Sequence, residues 1–164
     1  MSEDVQARLG VVTREADGRQ LLEFVRSWPD PIEDVWSAVT DPERSARWIG
    51  SYDGERAPGG TGRFTMTFEE GSDGQPVRIA ECEPPRRLVL EWIGEGWRLE
   101  LDLTREDERT LLRFRQRFAP DADVADYAVG WHWYLDKLSA ELGDGSGPTD
   151  WDDFYARVGP AYRG

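Results

Sequence analysis

The stretch AVGWHWYLDKLSAEL, residues 128–142, decides how the rest of the chain is read. Val124, Ala128, Trp131, Leu135, Leu138 and Leu142 recur at spacings of three and four. That pattern puts them on one face of a helix, expected from about Asp123 to Leu142. Successive residues advance by about 100°. Trp131 and Trp133 therefore point to opposite sides. His132, the single histidine of the chain, falls at the edge of the apolar stripe. A helix with one apolar stripe needs an apolar surface against it, and the sequence upstream supplies one.

RFTMTFEE (63–70) alternates, with Phe64, Met66 and Phe68 on one face. In PVRIAEC (76–82) the same parity collects Val77, Ile79 and Glu81. RRLVLEWIG (86–94) follows, and then WRLELDLT (97–104), with Trp97, Leu99, Leu101 and Leu103 inward. TLLRFRQRF (110–118) turns Leu112, Phe114, Gln116 and Phe118 inward and Arg113, Arg115 and Arg117 outward. Glu100 and Asp102 occupy the outer face of the preceding strand. Cross-strand charge pairing thus accounts for the arginine ladder.

Nearer the N-terminus, LGVVTREADGRQLLEFVRSW (9–28) reads as a hairpin turning at Asp17-Gly18. Leu22, Phe24 and Trp28 share a face that Arg26 interrupts. DPIEDVWSAVTDPERSARWIG (30–50) reads as two short helices. Asp30 is the expected cap of the first and Pro31 its first residue. Asp41-Pro42 ends that helix and starts the second. GERAPGGTG (54–62) is a glycine-rich loop. It lacks the Lys-Ser/Thr of a phosphate-binding loop, and no strand is expected before it. The whole is α+β: a hairpin, two short helices, about five further antiparallel strands and a long helix that covers the curved sheet.

With 164 residues, one domain is expected, with its core at about 10–143 and residues 144–164 as a tail packed on the outside. A net charge of −13 argues against nucleic acid and against an anionic membrane surface. No apolar run is long enough to span a bilayer. MSEDVQARLG lacks the order of a secretory signal. The one cysteine, Cys82, has no internal partner for a disulfide. These features point to the cytoplasm. With a single histidine and no ligand spacing, no metal is expected, and no cofactor.

Four segments, in order, carry a family resemblance. DPIEDVWSAVTDPERSARWIG is similar to the opening helix pair of START-like (SRPBCC) proteins, in the branch of heat-shock ATPase activator (AHSA) homologues. PGGTGRFTMTF (58–68) resembles that branch's glycine-bearing lead-in to a strand, and RIAECEPPRRLVLEW (78–92) its strand, proline turn and strand ending in Trp. AVGWHWYLDKLSAEL resembles its terminal helix. The resemblance implies a helix-grip fold with a cavity between sheet and helix. Relatives include lipid carriers, hormone receptors, polyketide cyclases and chaperone activators, so fold alone leaves the function open.

The expected function is binding of a small apolar or aromatic ligand in that cavity. Its candidate lining is Trp48, Phe64, Met66, Phe68, Trp92, Trp97, Leu99, Phe114, Gln116, Trp131 and Leu135. The resemblance makes Trp48 a lid residue, and Gln116, a polar group on an apolar face, is either hydrogen-bonded to a neighbouring strand or trapped water or is a polar anchor for the ligand. A cyclase- or hydrolase-like enzyme is an alternative, with Glu81 or His132 as acid or base. Asp136 lies at i+4 from His132. That leaves His132 as either a flank residue in a solvated ion pair or a pocket acid or base. A chaperone-associated, partner-binding protein is the third reading. Trp133 needs a cover. Trp151, Phe154 and Tyr155 of the tail are one source, and a second subunit in a homodimer is the other.

Overall fold

The structure is a computed structural model that describes residues 8–67, 74–94, 96–143 and 147–163. Gly18, at φ 90°, reverses the chain between β1 (Val11–Arg14) and β2 (Gln20–Trp28), and Asp17 braces the turn by accepting from the Arg19 amide at 3.0 Å. α1 (Ile32–Thr40) follows, but Asp30 does not cap it. Pro31 holds the flanking position with an extended backbone, and the Asp30 carbonyl instead accepts from the Thr110 hydroxyl at 2.7 Å. α2 (Pro42–Ser45) is capped as its sequence implies, with Asp41 accepting from the Glu43 amide at 2.9 Å.

The strand β3 (Gly50–Gly54), which precedes the glycine-rich loop, was not expected. Ser-Tyr-Asp is too short and polar to show alternation. The strand exists because glycines let it approach β4 (Thr61–Met66) closely. A Cβ on Gly62 would collide with the Asp53 carbonyl and the Tyr52 ring, and one on Gly50 with the Thr65 carbonyl.

β5 (Gln75–Glu83), β6 (Arg87–Trp92), β7 (Trp97–Glu106) and β8 (Arg109–Phe118) complete an antiparallel sheet of eight strands among the described residues, in the order β1-β2-β8-β7-β6-β5-β4-β3. α3 (Ala125–Glu141) crosses the inner face, and α4 (Trp151–Arg163) packs on the far side of α3. Among the described residues, no helix is long and apolar enough to cross a membrane.

The core forms where the two predicted stripes meet. Leu22, Phe24 and Trp28 of β2, Leu99 to Leu103 of β7 and Leu112 to Phe118 of β8 bury their apolar members against Ala128, Leu135, Leu138 and Leu142. Each such leucine or phenylalanine stabilises the fold by roughly 1.5–3 kcal/mol on full burial. On the outer face the arginines of β8 are paired. Arg117 reaches Glu100 at 2.8 Å and Glu15 at 2.7 Å. Arg115 turns to Glu23 of β2 at 2.7 Å rather than to β7.

Arg26, the residue that breaks the apolar face of β2, is only 6% exposed. Its Nη1 donates to Asp136 Oδ1 of α3 at 2.8 Å, and its Nη2 to the Arg8 carbonyl at 2.9 Å. Burial lowers the Arg26 pKa, and the Asp136 carboxylate opposes that shift. Removing one partner of such a pair leaves an uncompensated charge. Asp136→Asn is therefore expected to cost about 3–5 kcal/mol in chemical denaturation. The double change to leucine at 26 and 136 is expected to recover most of that loss.

Candidate functional site

α3 does not fill the space beneath the sheet at its N-terminal half. Gly130 sits there, and among the described residues a Cβ added to it would meet nothing within 4 Å. The space is a cavity of about 510 Å³, open on one side, lined by Ile49, Met66, Gln75, Trp92, Trp97, Leu99, Asp126, Tyr127, Gly130, Trp131, Trp133, Tyr134 and Trp151. More than half of this lining is aromatic. Asp126 is the only charged residue in it among the described residues. Its carboxylate accepts from the Tyr155 hydroxyl at 2.7 Å and from Arg163, which hold its pKa below the usual carboxylate range.

Of the predicted lining, Met66, Trp92, Trp97, Leu99 and Trp131 meet at this chamber. Trp131 packs its ring on Phe114 at 4.5 Å between centroids. Phe114, Leu135, Trp48 and Phe64 wall only a neck of about 40 Å³ deeper in the core. Phe64 also faces a separate hollow beyond that neck. Phe68 lies outside the described residues.

Trp48 is not a free lid. It is 4% exposed, and its Nε1 donates to the Ala38 carbonyl at 2.8 Å, so it ties α2 to α1 as a strut. Gln116 does not reach the chamber either. Trp131 Nε1 donates to Gln116 Oε1 at 2.8 Å and covers it. Gln116 is 1% exposed, and its Nε2 has no partner among the described residues. The amide therefore orients the Trp131 indole, which forms one wall.

Glu81 faces outward, against the parity reading. The register of β5 against β6 shifts between Ile79 and Glu81, so Ala80 is an extra residue and every later side chain changes face. Glu81 meets Arg87 at 3.2 Å and Arg98 at 3.3 Å, and these hydrogen bonds lower its pKa. Cys82 turns inward in its place.

His132 is not on a solvated flank. It is 1% exposed and belongs to the α3–α4 contact. Its Nε2 lies 3.6 Å from Asp136 Oδ2, and its Nδ1 lies 2.9 Å from the Tyr162 hydroxyl. That hydroxyl accepts from the Gly10 amide at 2.8 Å. A proton on Nε2 faces the carboxylate, which leaves Nδ1 to accept from Tyr162. The spacing around His132 carries no sign of this contact, because Tyr162 lies 30 positions on, in the tail. The tail also covers Trp133. Trp151 and Phe154 each meet its ring edge-on, at 5.3 Å between centroids. Ile49, Gln75, Asp126, Tyr127, Trp133, Tyr134 and Trp151 join the lining without a sequence signal, except that a glycine inside a helix at 130 marks a place left without a side chain.

An open curved sheet gripping a terminal helix, with a hollow between them, is the geometry the resemblance implies. The family described as activator of Hsp90 ATPase homolog 1-like protein matches residues 30–143. The chain belongs to this AHSA1 family. Its fold is shared with CalU16 from Micromonospora echinospora, at TM-score 0.72 and 27% identity over 95% of this chain and 94% of that one. A Bordetella parapertussis protein encoded by BPP1335 aligns at TM-score 0.73 and 26% identity, over 95% of this chain and 90% of that one. DynU16, a protein in the dynemicin biosynthetic locus, aligns at TM-score 0.64 and 28% identity over 75% of this chain and 47% of its own. Comparison with curated proteins returns no match.

In this AHSA1 chain, burial drives the His132 pKa down to about 4, with the Asp136 carboxylate opposing the shift. The unfolded imidazole titrates near 6.5, so between those values the unfolded state binds more protons and stability rises with pH. The imidazole contribution is complete above about pH 6.5 and is lost as pH falls toward 4. Denaturation at pH 7 and pH 5 is expected to show a loss of about 2 kcal/mol. The same pair of measurements on His132→Gln isolates the histidine share, which is expected to vanish in that variant.

Proposed function

We propose that this protein binds a small, largely apolar ligand with an aromatic or polycyclic body in the chamber between the sheet and α3. The observation that carries this reading is the chamber itself: about 510 Å³ of open space walled by Trp92, Trp97, Tyr127, Trp131 and Tyr134, with a glycine where a helix would ordinarily place a side chain. Volumes of this size hold drug-sized ligands, and flat aromatic walls favour flat aromatic partners. Retaining Gly130 in a helix interior costs about 1 kcal/mol relative to alanine, and packing does not require it, because an added Cβ would meet nothing within 4 Å among the described residues.

Binding is favoured over turnover because both acid–base candidates lie outside the chamber. Glu81 is consumed by arginines on the outer face, and His132 is enclosed between α3 and α4. A macromolecular partner of the nucleic-acid kind fits poorly with the surface. The outward arginines of β8 are already matched to Glu15, Glu23 and Glu100, and the net charge is −13.

Thermal denaturation against a panel of neutral polycyclic aromatics tests this reading. A ligand at a hundredfold excess over its Kd is expected to stabilise the chain by about 2.7 kcal/mol. Gly130→Leu is expected to leave the unliganded chain at least as stable while abolishing the ligand-dependent rise. A panel that raises Tm equally in Gly130→Leu would place binding elsewhere and refute the assignment.

A further inference from the structure

A second hollow lies beyond the neck, under α1 and α2, and shares no lining residue with the main chamber. Its volume is about 300 Å³. Trp36 and Val39 of α1 form one wall, and Phe64, Ile79, Leu88 and Leu90 of the sheet form the other. The neck of about 40 Å³ has room for a water molecule but not for a ring. Phe64 and Trp92 stand across it with centroids 5.5 Å apart. The two spaces are therefore separate compartments in this conformation.

The polar groups of the second hollow come mainly from α1, α2, β3 and the loop after it. Arg56, from the loop between β3 and β4, is the only charged residue in its lining among the described residues. Its Nη1 donates to the Thr40 carbonyl at 3.0 Å, which fixes the guanidinium over the C-terminus of α1. Thr40 of α1, Ser45 of α2 and Tyr52 of β3 also line the hollow. Burial raises the pKa of both Tyr52 and Cys82, with Glu55 adding to the rise at Tyr52, and the positive field of Arg56 opposes it at both. In a chain of net charge −13, Arg56 hydrogen-bonds to a backbone carbonyl rather than to a carboxylate. A guanidinium there recognises a planar anion by directed hydrogen bonds, while the walls accept a hydrocarbon body.

We infer that this hollow is a second binding site, distinct from the main chamber, for a small apolar molecule with an anionic head such as a carboxylate or phenolate, anchored by Arg56.

Cys82 lines the hollow and is the one cysteine of the chain, so it reports on occupancy. The experiment follows alkylation of Cys82 by iodoacetamide, read as intact mass, with increasing 2-naphthoate or its neutral counterpart 2-naphthamide. Saturable protection by 2-naphthoate is expected at a concentration about tenfold lower than for the amide, the factor a single charge-assisted contact supplies. Arg56→Gln is expected to erase the preference and Arg56→Lys to retain part of it, each referred to its own unliganded alkylation rate. Arg56 is exposed, so neither change disturbs the core. Gly130→Leu, which fills the main chamber, is expected to leave the protection unchanged. Absence of protection, equal protection by acid and amide, or a preference that survives Arg56→Gln would each overturn the assignment. Loss of protection in Gly130→Leu would trace the effect to the main chamber and overturn it equally. The main-chamber reading stands or falls on its own denaturation series, in which Arg56 has no part.

Discussion

The buried pair between Arg26 and Asp136 is the constraint around which the rest of this molecule is arranged. A guanidinium in the middle of an apolar sheet face is tolerated only where a carboxylate meets it. The pair therefore ties the register of β2 to that of α3. Asp136 then sits within reach of His132, one turn earlier on the same helix, and His132 meets Tyr162 of α4. Tyr162 in turn receives the Gly10 amide. One ion pair thus aligns the sheet, the gripped helix, the outer helix and the start of β1. The carboxylate meets Arg26 of β2 and Arg8 ahead of β1, both distant in sequence, as well as His132 of its own helix. Such a network specifies a unique arrangement more than it adds net stability.

With α3 held at that point, the cavity follows from what the helix does elsewhere. Its C-terminal half presents Leu135, Leu138 and Leu142 to the sheet and fills the space. Its N-terminal half presents Gly130 and the edge of Trp131, and leaves a chamber. Gln116 settles the pose of Trp131 by accepting its indole N–H. The polar residue on the apolar strand therefore shapes the wall of the chamber from behind. The outer helix has two roles. It buries Trp133 and His132, and it brings Trp151 to the chamber rim.

The parts of this architecture that were legible in the sequence are those governed by regular periods. β7 and β8 read correctly from Trp97 to Phe118 because alternation is uninterrupted there. The stripe of α3 read correctly because its spacing runs for several turns. β3 was missed because its pairing depends on close backbone approach at glycine, which has no hydrophobic signature. Glu81 was placed on the wrong face because one extra residue at Ala80 inverts parity, and a bulge of one residue leaves no mark in composition. The resemblance makes Trp48 a lid because it ends the short helices that close the cavity mouth in relatives, yet here its side chain is buried in the core. The Ala38 carbonyl that holds it lies ten positions away in the chain.

The sequence by itself determined the class of fold, the two opposed faces of the terminal helix and the apolar inner surface of the sheet. These are local properties, set by side-chain period and turn chemistry within a few residues. Only the tertiary structure decided which side chains share a cavity. That depends on the bulge in β5, on the register tied by a buried ion pair and on a tail that returns to cover the helix. The division between two hollows was likewise a tertiary outcome, because Phe64 and Trp92 sit on different strands and meet only when the sheet curls around α3. Each of these contacts joins residues distant in sequence, and their free energy is absent until the chain has closed on itself.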